Sequence, residues 1–220
     1  MTFIPGFHPL HDQNQQILWF IFDKSKLLVK SAQDSYALPE ADGLAENGFN
    51  PAVRLYLGVL RDQPCYAARL NPGDPLPANC EWMDLRALVG LISDELFWIA
   101  GRANHLLDWD LTHQYCGRCG RPTRDKSDER AKICPACNLI NYPRLSPAVI
   151  MAVVRDDRIL LARNKRFRAS FHSVLAGFVE PGETLEECVQ REIKEEVGLD
   201  IMNIRKTKNI RKETKYSLLN

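Results

Sequence analysis

Gly177-Phe-Val-Glu-Pro-Gly-Glu183, followed after Thr184 to Gln190 by Arg191-Glu-Ile-Lys-Glu-Glu-Val-Gly-Leu199, is the stretch on which the reading of this 220-residue chain turns. As a pattern it is G-x5-E-x7-R-E-U-x-E-E-x-G-U, where U is a bulky aliphatic residue. Its fixed and aliphatic positions would coincide by accident about once in 10^9 starting points at average residue frequencies, so chance does not explain it. Thr184 with Glu187 three residues on makes a capping-box pattern, and Gly198 is a typical residue just past a helix end. A helix is therefore predicted from near Thr184 to near Gly198. On it Glu192, Glu195 and Glu196 stand at i, i+3 and i+4 and project from one side, beside an apolar stripe of Val189, Ile193 and Val197.

Three unpaired carboxylates packed so closely repel one another, and such a run is explained by solvent, by basic partners or by a bound divalent cation. On an isolated helix the solvated face is the simpler account; the surrounding pattern favours the cation. Oxygen ligands suit Mg2+ or Mn2+, which keep several waters and bridge to phosphates. An ion placed there acidifies a bound water and draws charge from phosphorus, while a neighbouring glutamate accepts the proton. Gly177 and Gly182 permit a tight loop before the helix, and Arg191 is assigned to a structural pair with Glu183.

Upstream, Ala148 to Val154 reads as an apolar strand that turns at Asp156-Asp157 and returns through Arg158-Ile-Leu-Leu-Ala, and Ser173 to Val179 as a strand leading into the helix. Before these, Cys116-Gly-Arg-Cys119 and Cys134-Pro-Ala-Cys137 form two C-x-x-C knuckles fourteen residues apart. That is the spacing of a four-cysteine zinc ribbon, whose tetrahedral shell is closed to substrate and hence structural. Four metal-free cysteines are the plain alternative. A nucleic-acid reader is another: Arg118, Arg121, Arg124, Lys126, Arg130 and Lys132 lie in or beside the segment, although Asp125, Asp128 and Glu129 interrupt the field. Cys65, Cys80 and Cys188 read as small buried residues.

The first hundred residues are β-rich. Gln16 to Phe22 and Leu27 to Lys30 flank Asp23-Lys-Ser-Lys, and Val53 to Leu60 precedes the turn residues Arg61-Asp-Gln-Pro, so both are read as hairpins. Leu85, Leu88, Leu91, Leu96, Ile99 and Leu106 then recur at helical spacing, predicting one or two helices. The divisions drawn are 1–110, β-rich and closed by helices; 111–144, the ribbon; 145–205, holding the acidic helix; and 206–220, a basic tail. With 29 basic and 28 acidic residues there is no bulk electrostatic pull toward nucleic acid or an anionic membrane. No apolar run approaches the roughly 20 residues that span a bilayer. The start of the chain resembles neither signal nor transit peptide, which with paired cysteines implies the reducing cytoplasm.

Ribbon followed by this box resembles the NADH pyrophosphatases of the Nudix superfamily, also called NAD-capped RNA hydrolases. Tyr115-Cys-Gly-Arg-Cys-Gly, Asn141-Tyr-Pro-Arg-Leu-Ser-Pro147-Ala-Val-Ile and Val174-Leu-Ala-Gly-Phe-Val-Glu180 carry the likeness. The resemblance implies an α+β chain: a β-rich N-terminal domain, a four-cysteine zinc ribbon holding one Zn2+, and a Nudix α/β/α sandwich, assembled as a homodimer. It implies hydrolysis of NADH or NAD+ to nicotinamide mononucleotide and AMP, with NAD-capped RNA as a related substrate. It places the Mg2+ or Mn2+ site at the Ala176 carbonyl, Glu192 and Glu196, with Glu195 completing the cluster and either Glu195 or Glu196 as base. Arg86, Glu129 and Tyr142 match substrate-lining positions, with Tyr142 suited to stacking on a base; their plain readings are a helix surface charge, a loop charge and a packing residue.

The family continues past its box into a motif close to Ser-Gln-Pro-Trp-Pro-Phe-Pro. Here Ile201 to Arg205 gives way to a tail in which residues 201–220 hold six Lys or Arg against one acidic residue. The expectations are a disordered tail, an incomplete sandwich, and a frame-shifted or truncated member of the family. Two other functions stay open on these residues: a non-catalytic remnant whose ribbon binds nucleic acid or a partner, and a Nudix hydrolase of another nucleoside diphosphate such as ADP-ribose.

Overall fold

The computed structural model describes residues 3–9, 16–32, 35–39, 51, 53–70, 73–74, 76–163 and 172–206. The fold is α+β, in two compact units, Met1–Arg144 and Leu145–Asn220. The first unit runs β1 (Ile4–Pro5), β2 (Leu18–Asp23), β3 (Lys26–Ala32), β4 (Ser35–Ala37), β5 (Val53–Leu60), β6 (Gln63–Arg69), β7 (Cys80–Asp84), a 3-10 helix (Leu85–Leu88), α1 (Asp94–Thr112), and the short ribbon strands β8 (Arg124–Asp125), β9 (Lys132–Ile133) and β10 (Ile140–Asn141).

Both expected hairpins form. Lys24 takes the turn between β2 and β3 and Arg61 with Asp62 the turn between β5 and β6, all at positive φ. The sheet order is β1-β5-β6-β2-β3-β4, with β7 also paired to β3. Every pairing is antiparallel except β2 with β6. Alternate residues supply two apolar clusters: Phe20, Phe22, Leu27, Val29, Leu57 and Ala67 on one face, Trp19, Ile21, Leu28, Tyr56, Tyr66 and Ala68 on the other. Burial of both faces is why the run from Ile17 to Phe22 is apolar without a break.

Helix α1 covers the first of these faces with Ile99, Ala100, Ala103, Leu106 and Leu107. Ser93 caps it, its Oγ accepting from the Leu96 N–H at 3.3 Å, with Asp94 and Glu95 in the favourable first turn. The ribbon is tied to this body by two basic side chains. Lys132, 4 % exposed, meets Asp110 of α1 at 2.8 Å and Asp125 at 2.9 Å. Arg130 donates to the backbone carbonyls of Gly6 and Tyr56.

The second unit contains β11 (Ala148–Met151), β12 (Val154–Arg155), β13 (Arg158–Ile159), β14 (Leu175–Phe178) and α2 (Leu185–Val197). The strand expected over Ala148 to Val154 divides at Ala152. β11 pairs with β14, whereas Val154 folds back on Ile159 in a hairpin turned at Asp156, φ 55°. Helix α2 lies on the β11–β14 pair through Cys188 and Ile193, with Val189 and Val197 at the edge of the same core, so the predicted apolar stripe faces inward. Residues 201–206 form no helix or strand, and the rest of the basic tail lies outside the described residues. Among the described residues no helix is long and apolar enough to cross a membrane.

Candidate active site and zinc ribbon

The acidic helix starts as its sequence dictates. Thr184 Oγ1 accepts from the Glu187 N–H at 3.2 Å and a Glu187 carboxylate oxygen accepts from the Thr184 N–H at 2.8 Å, a reciprocal capping box. Gly198 closes the helix in the left-handed region at φ 72°. The preceding loop turns at Gly182, φ 86°, which a residue with a β-carbon rarely adopts.

Gly177 is needed for another reason. It lies inside β14, where a β-carbon would collide with Cγ, Cδ and Oε1 of Glu192. The Glu192 side chain thus packs directly over the strand backbone, next to Ala176. Spacing places Glu192 on the correct helix face; only the missing side chain at Gly177 lets it reach the sheet.

Arg191 organises the rest. Its Nε and Nη2 donate to the two carboxylate oxygens of Glu183 at 2.8 and 3.0 Å, and Nη2 also donates to the Phe178 carbonyl at 2.9 Å. This is the anticipated structural pair, and the two-pronged guanidinium with the Glu180 N–H holds the Glu183 carboxyl down to about 2. The same arginine goes further: Nη1 donates to Glu192 at 3.0 Å and to Glu195 at 3.2 Å. The i,i+4 spacing of Arg191 and Glu195 is a signal of that contact in the sequence. Glu196 is exposed and has no hydrogen-bond or ion-pair partner among the described residues.

A divalent cation suits this set. Glu192 lies over the backbone of Gly177, Glu196 offers an exposed carboxylate one turn along, and carboxylate and carbonyl oxygens are hard donors of the kind such an ion takes. The three helix carboxylates are not within 4.8 Å of one another, a closeness that among the described residues the cysteine quartet alone attains. Arg191 Nη1 gathers two of them, Glu192 and Glu195, and makes no contact with Glu196.

In the ribbon, Sγ of Cys116 lies 3.5 Å from that of Cys137, and Sγ of Cys119 lies 3.5 Å from that of Cys134. Sulfurs at the corners of a tetrahedron of Zn–S length 2.3 Å stand about 3.8 Å apart, whereas a disulfide requires about 2.05 Å. All seven cysteines are free. The knuckles repeat one another: Gly120 N–H donates to the Cys116 carbonyl and Asn138 N–H to the Cys134 carbonyl, both at 2.9 Å, with Gly120 and Asn138 both at positive φ. The backbone N–H groups of Arg118 and Cys119 hold the Cys116 thiol down to about 6, while hydrogen bonds from the neighbouring thiols raise that of Cys137.

Of the residues matched to substrate positions, Tyr142 and Glu129 meet. The tyrosine hydroxyl donates to Glu129 Oε1 at 3.0 Å and Lys126 Nζ approaches the same oxygen at 3.3 Å. That hydrogen bond raises the Tyr142 pKa. Arg86 lies exposed on the 3-10 helix, where its backbone N–H donates to Asp84 at 2.9 Å; its guanidinium has no partner among the described residues and contacts neither Glu129 nor Tyr142.

Comparison with known proteins covers the chain in three blocks. Residues 16–109 match the NADH pyrophosphatase-like rudimentary NUDIX domain, residues 111–142 the NADH pyrophosphatase zinc ribbon domain, and residues 144–218 the NUDIX domain. The chain is 43% identical over 145 residues to the NAD-capped RNA hydrolase NudC of Stutzerimonas stutzeri, covering 66% of this chain and 52% of that protein. It is 41% identical over 161 residues to its namesake in Pseudomonas fluorescens, 73% of this chain and 55% of that one. With that of Deinococcus radiodurans it shares 40% over 191 residues, 85% of this chain and 65% of the relative. The chain thus spans about half to two thirds of the length of the curated relatives it matches. By its three consecutive domains and its complete box, the chain belongs to the Nudix superfamily, among the proteins that join an NADH pyrophosphatase-like N-terminal domain and a zinc ribbon to the Nudix domain.

Proposed function

We propose that this protein hydrolyses the diphosphate of NADH or NAD+, giving nicotinamide mononucleotide and AMP, and that it acts in the same way on NAD-capped RNA ends. The observation that carries the reading is the Glu192 carboxylate seated on Gly177 beside Ala176, with Glu196 uncommitted one helical turn away. The names of the relatives supply the substrate class.

The Ala176 carbonyl, Glu192 and Glu196 would hold Mg2+ or Mn2+. Such an ion, when bound, acidifies water and neutralises charge on the diphosphate. Arg191 fixes the loop through Glu183 and restrains Glu192 and Glu195 from the side. Glu195 or Glu196 accepts the proton of the attacking water. Glu129 and Tyr142 form one hydrogen-bonded patch for the substrate, with the tyrosine ring as a stacking surface, and Arg86 supplies a free guanidinium for a phosphate. Zn2+ in the cysteine quartet, a homodimer and a cytoplasmic location complete the reading; unpaired cysteines in metal-type pairs support the last.

The test is AMP release from NADH, NAD+ and ADP-ribose with Mg2+ or Mn2+, by this chain and by a form extended to the length of its relatives. Turnover of NADH with loss of at least 100-fold in Glu196→Gln is expected. No AMP from any of the three by either form would overturn the hydrolytic reading, and ADP-ribose alone would move it to another nucleoside diphosphate.

A further inference from the structure

A cleft of about 350 Å³ lies where the C-terminal half of α1 meets the ribbon, entirely within the first unit. Glu129 and Tyr142 take no part in its walls, and the acidic helix belongs to the other unit. Its main side chains are His105, Asp108, Trp109, His113, Tyr115 and Arg144.

One wall is fixed. Trp109 is 6 % exposed, with Lys132 Nζ 5.8 Å from its ring centroid on the buried side. His113 Nδ1 donates to the Trp109 carbonyl at 2.9 Å, which leaves its Nε2 as an acceptor, and His105 Nε2 donates to the Arg144 carbonyl at 2.7 Å. Three groups are left uncommitted. The Tyr115 ring is 69 % exposed although its backbone is bridged to Pro122 next to the first zinc knuckle, an unusual exposure for an aromatic residue on a rigid support. The Asp108 carboxylate and the Arg144 guanidinium are exposed and have no partner among the described residues.

An aromatic platform, a free carboxylate and a free guanidinium around one cleft match the three parts of a nucleotide. A base stacks on Tyr115, a carboxylate accepts from the paired ribose hydroxyls, and a guanidinium donates to phosphate. We propose that this cleft is a second nucleotide site, lined by none of the residues assigned to hydrolysis, that takes a mononucleotide unit with its base on Tyr115, its ribose at Asp108 and its phosphate at Arg144. That unit comes either as a free nucleoside monophosphate or as one residue of an RNA strand. The inference stands on the first unit alone and does not depend on hydrolysis by the second.

Calorimetric titration of the full chain, without added divalent cation, tests it with AMP, ribose 5-phosphate and an uncapped RNA pentanucleotide. AMP is expected to bind, and Tyr115→Ala and Arg144→Ala each to weaken it about tenfold. Retained zinc and an unchanged circular dichroism spectrum show that the variants are folded. Tighter binding of the pentanucleotide, weakened by the same substitutions, identifies the strand as the source; AMP binding at least as tight identifies the free nucleotide. The proposal is overturned if neither binds, if ribose 5-phosphate binds as tightly as AMP, or if both folded variants bind as the parent does.

Discussion

Gly177 and Glu192 compete for a volume that admits one side chain. Because a β-carbon would overlap three Glu192 atoms, Gly177→Ala must push that carboxylate off the strand. The Glu192 side chain is 15% exposed and rotatable, so it yields before the strand does and the damage falls on the cation site more than on the fold. Mn2+ affinity, followed by paramagnetic resonance, is expected to drop about tenfold or more; unchanged affinity would remove Glu192 from the metal site. The Glu183–Arg191 pair makes a different prediction, in pH. Folding lowers the Glu183 carboxyl from its ordinary 4.5 to about 2. Its contribution to stability is therefore complete above about 4.5 and is lost as pH falls through the folded value near 2. Glu183→Gln should lower the thermal midpoint at neutral pH and flatten its decline across that window. Parallel pH curves for parent and variant would contradict the assignment.

At the level of elements, α2 was legible almost to the residue. Its cap, stop and apolar stripe are set by neighbours in sequence, and all three form as read. Thr184→Ala removes the bond that Oγ1 accepts from the Glu187 N–H while keeping the backbone N–H that donates to Glu187, and should cost about 1 kcal/mol, seen as a lower urea midpoint with an unchanged slope; a change in slope would instead indicate altered compactness. The two hairpins of the first unit were equally plain, because turn residues between apolar runs are local signals. The strand read over Ala148 to Val154 was less so. Apolar character does not say which partner a strand will choose, and Val154 pairs within its own hairpin while Ala148 to Met151 pair with β14. For the same reason no local pattern announces that β2 runs parallel to β6.

At the scale of the whole molecule, the ribbon is the part most dependent on a bound ion. Beyond the cysteines it is held by Lys132 on Asp110 and by Arg130 on Gly6 and Tyr56, contacts that require the ribbon to be folded first. Zinc content should approach one ion per chain. Chelation should unfold the ribbon, withdraw Lys132 from the Trp109 ring and change the fluorescence of that buried tryptophan; fluorescence and thermal midpoint untouched by zinc removal would show that the quartet needs no metal. The sequence by itself determined the acidic helix, its carboxylate spacing and the cysteine quartet, because each is a matter of periodicity or short spacing along the chain. Only the tertiary structure decided that Glu192 rests on Gly177 and that Lys132 and Arg130 tie the ribbon to the helix and the sheet. Those contacts join residues whose approach is governed by chain closure and packing, which no local pattern encodes.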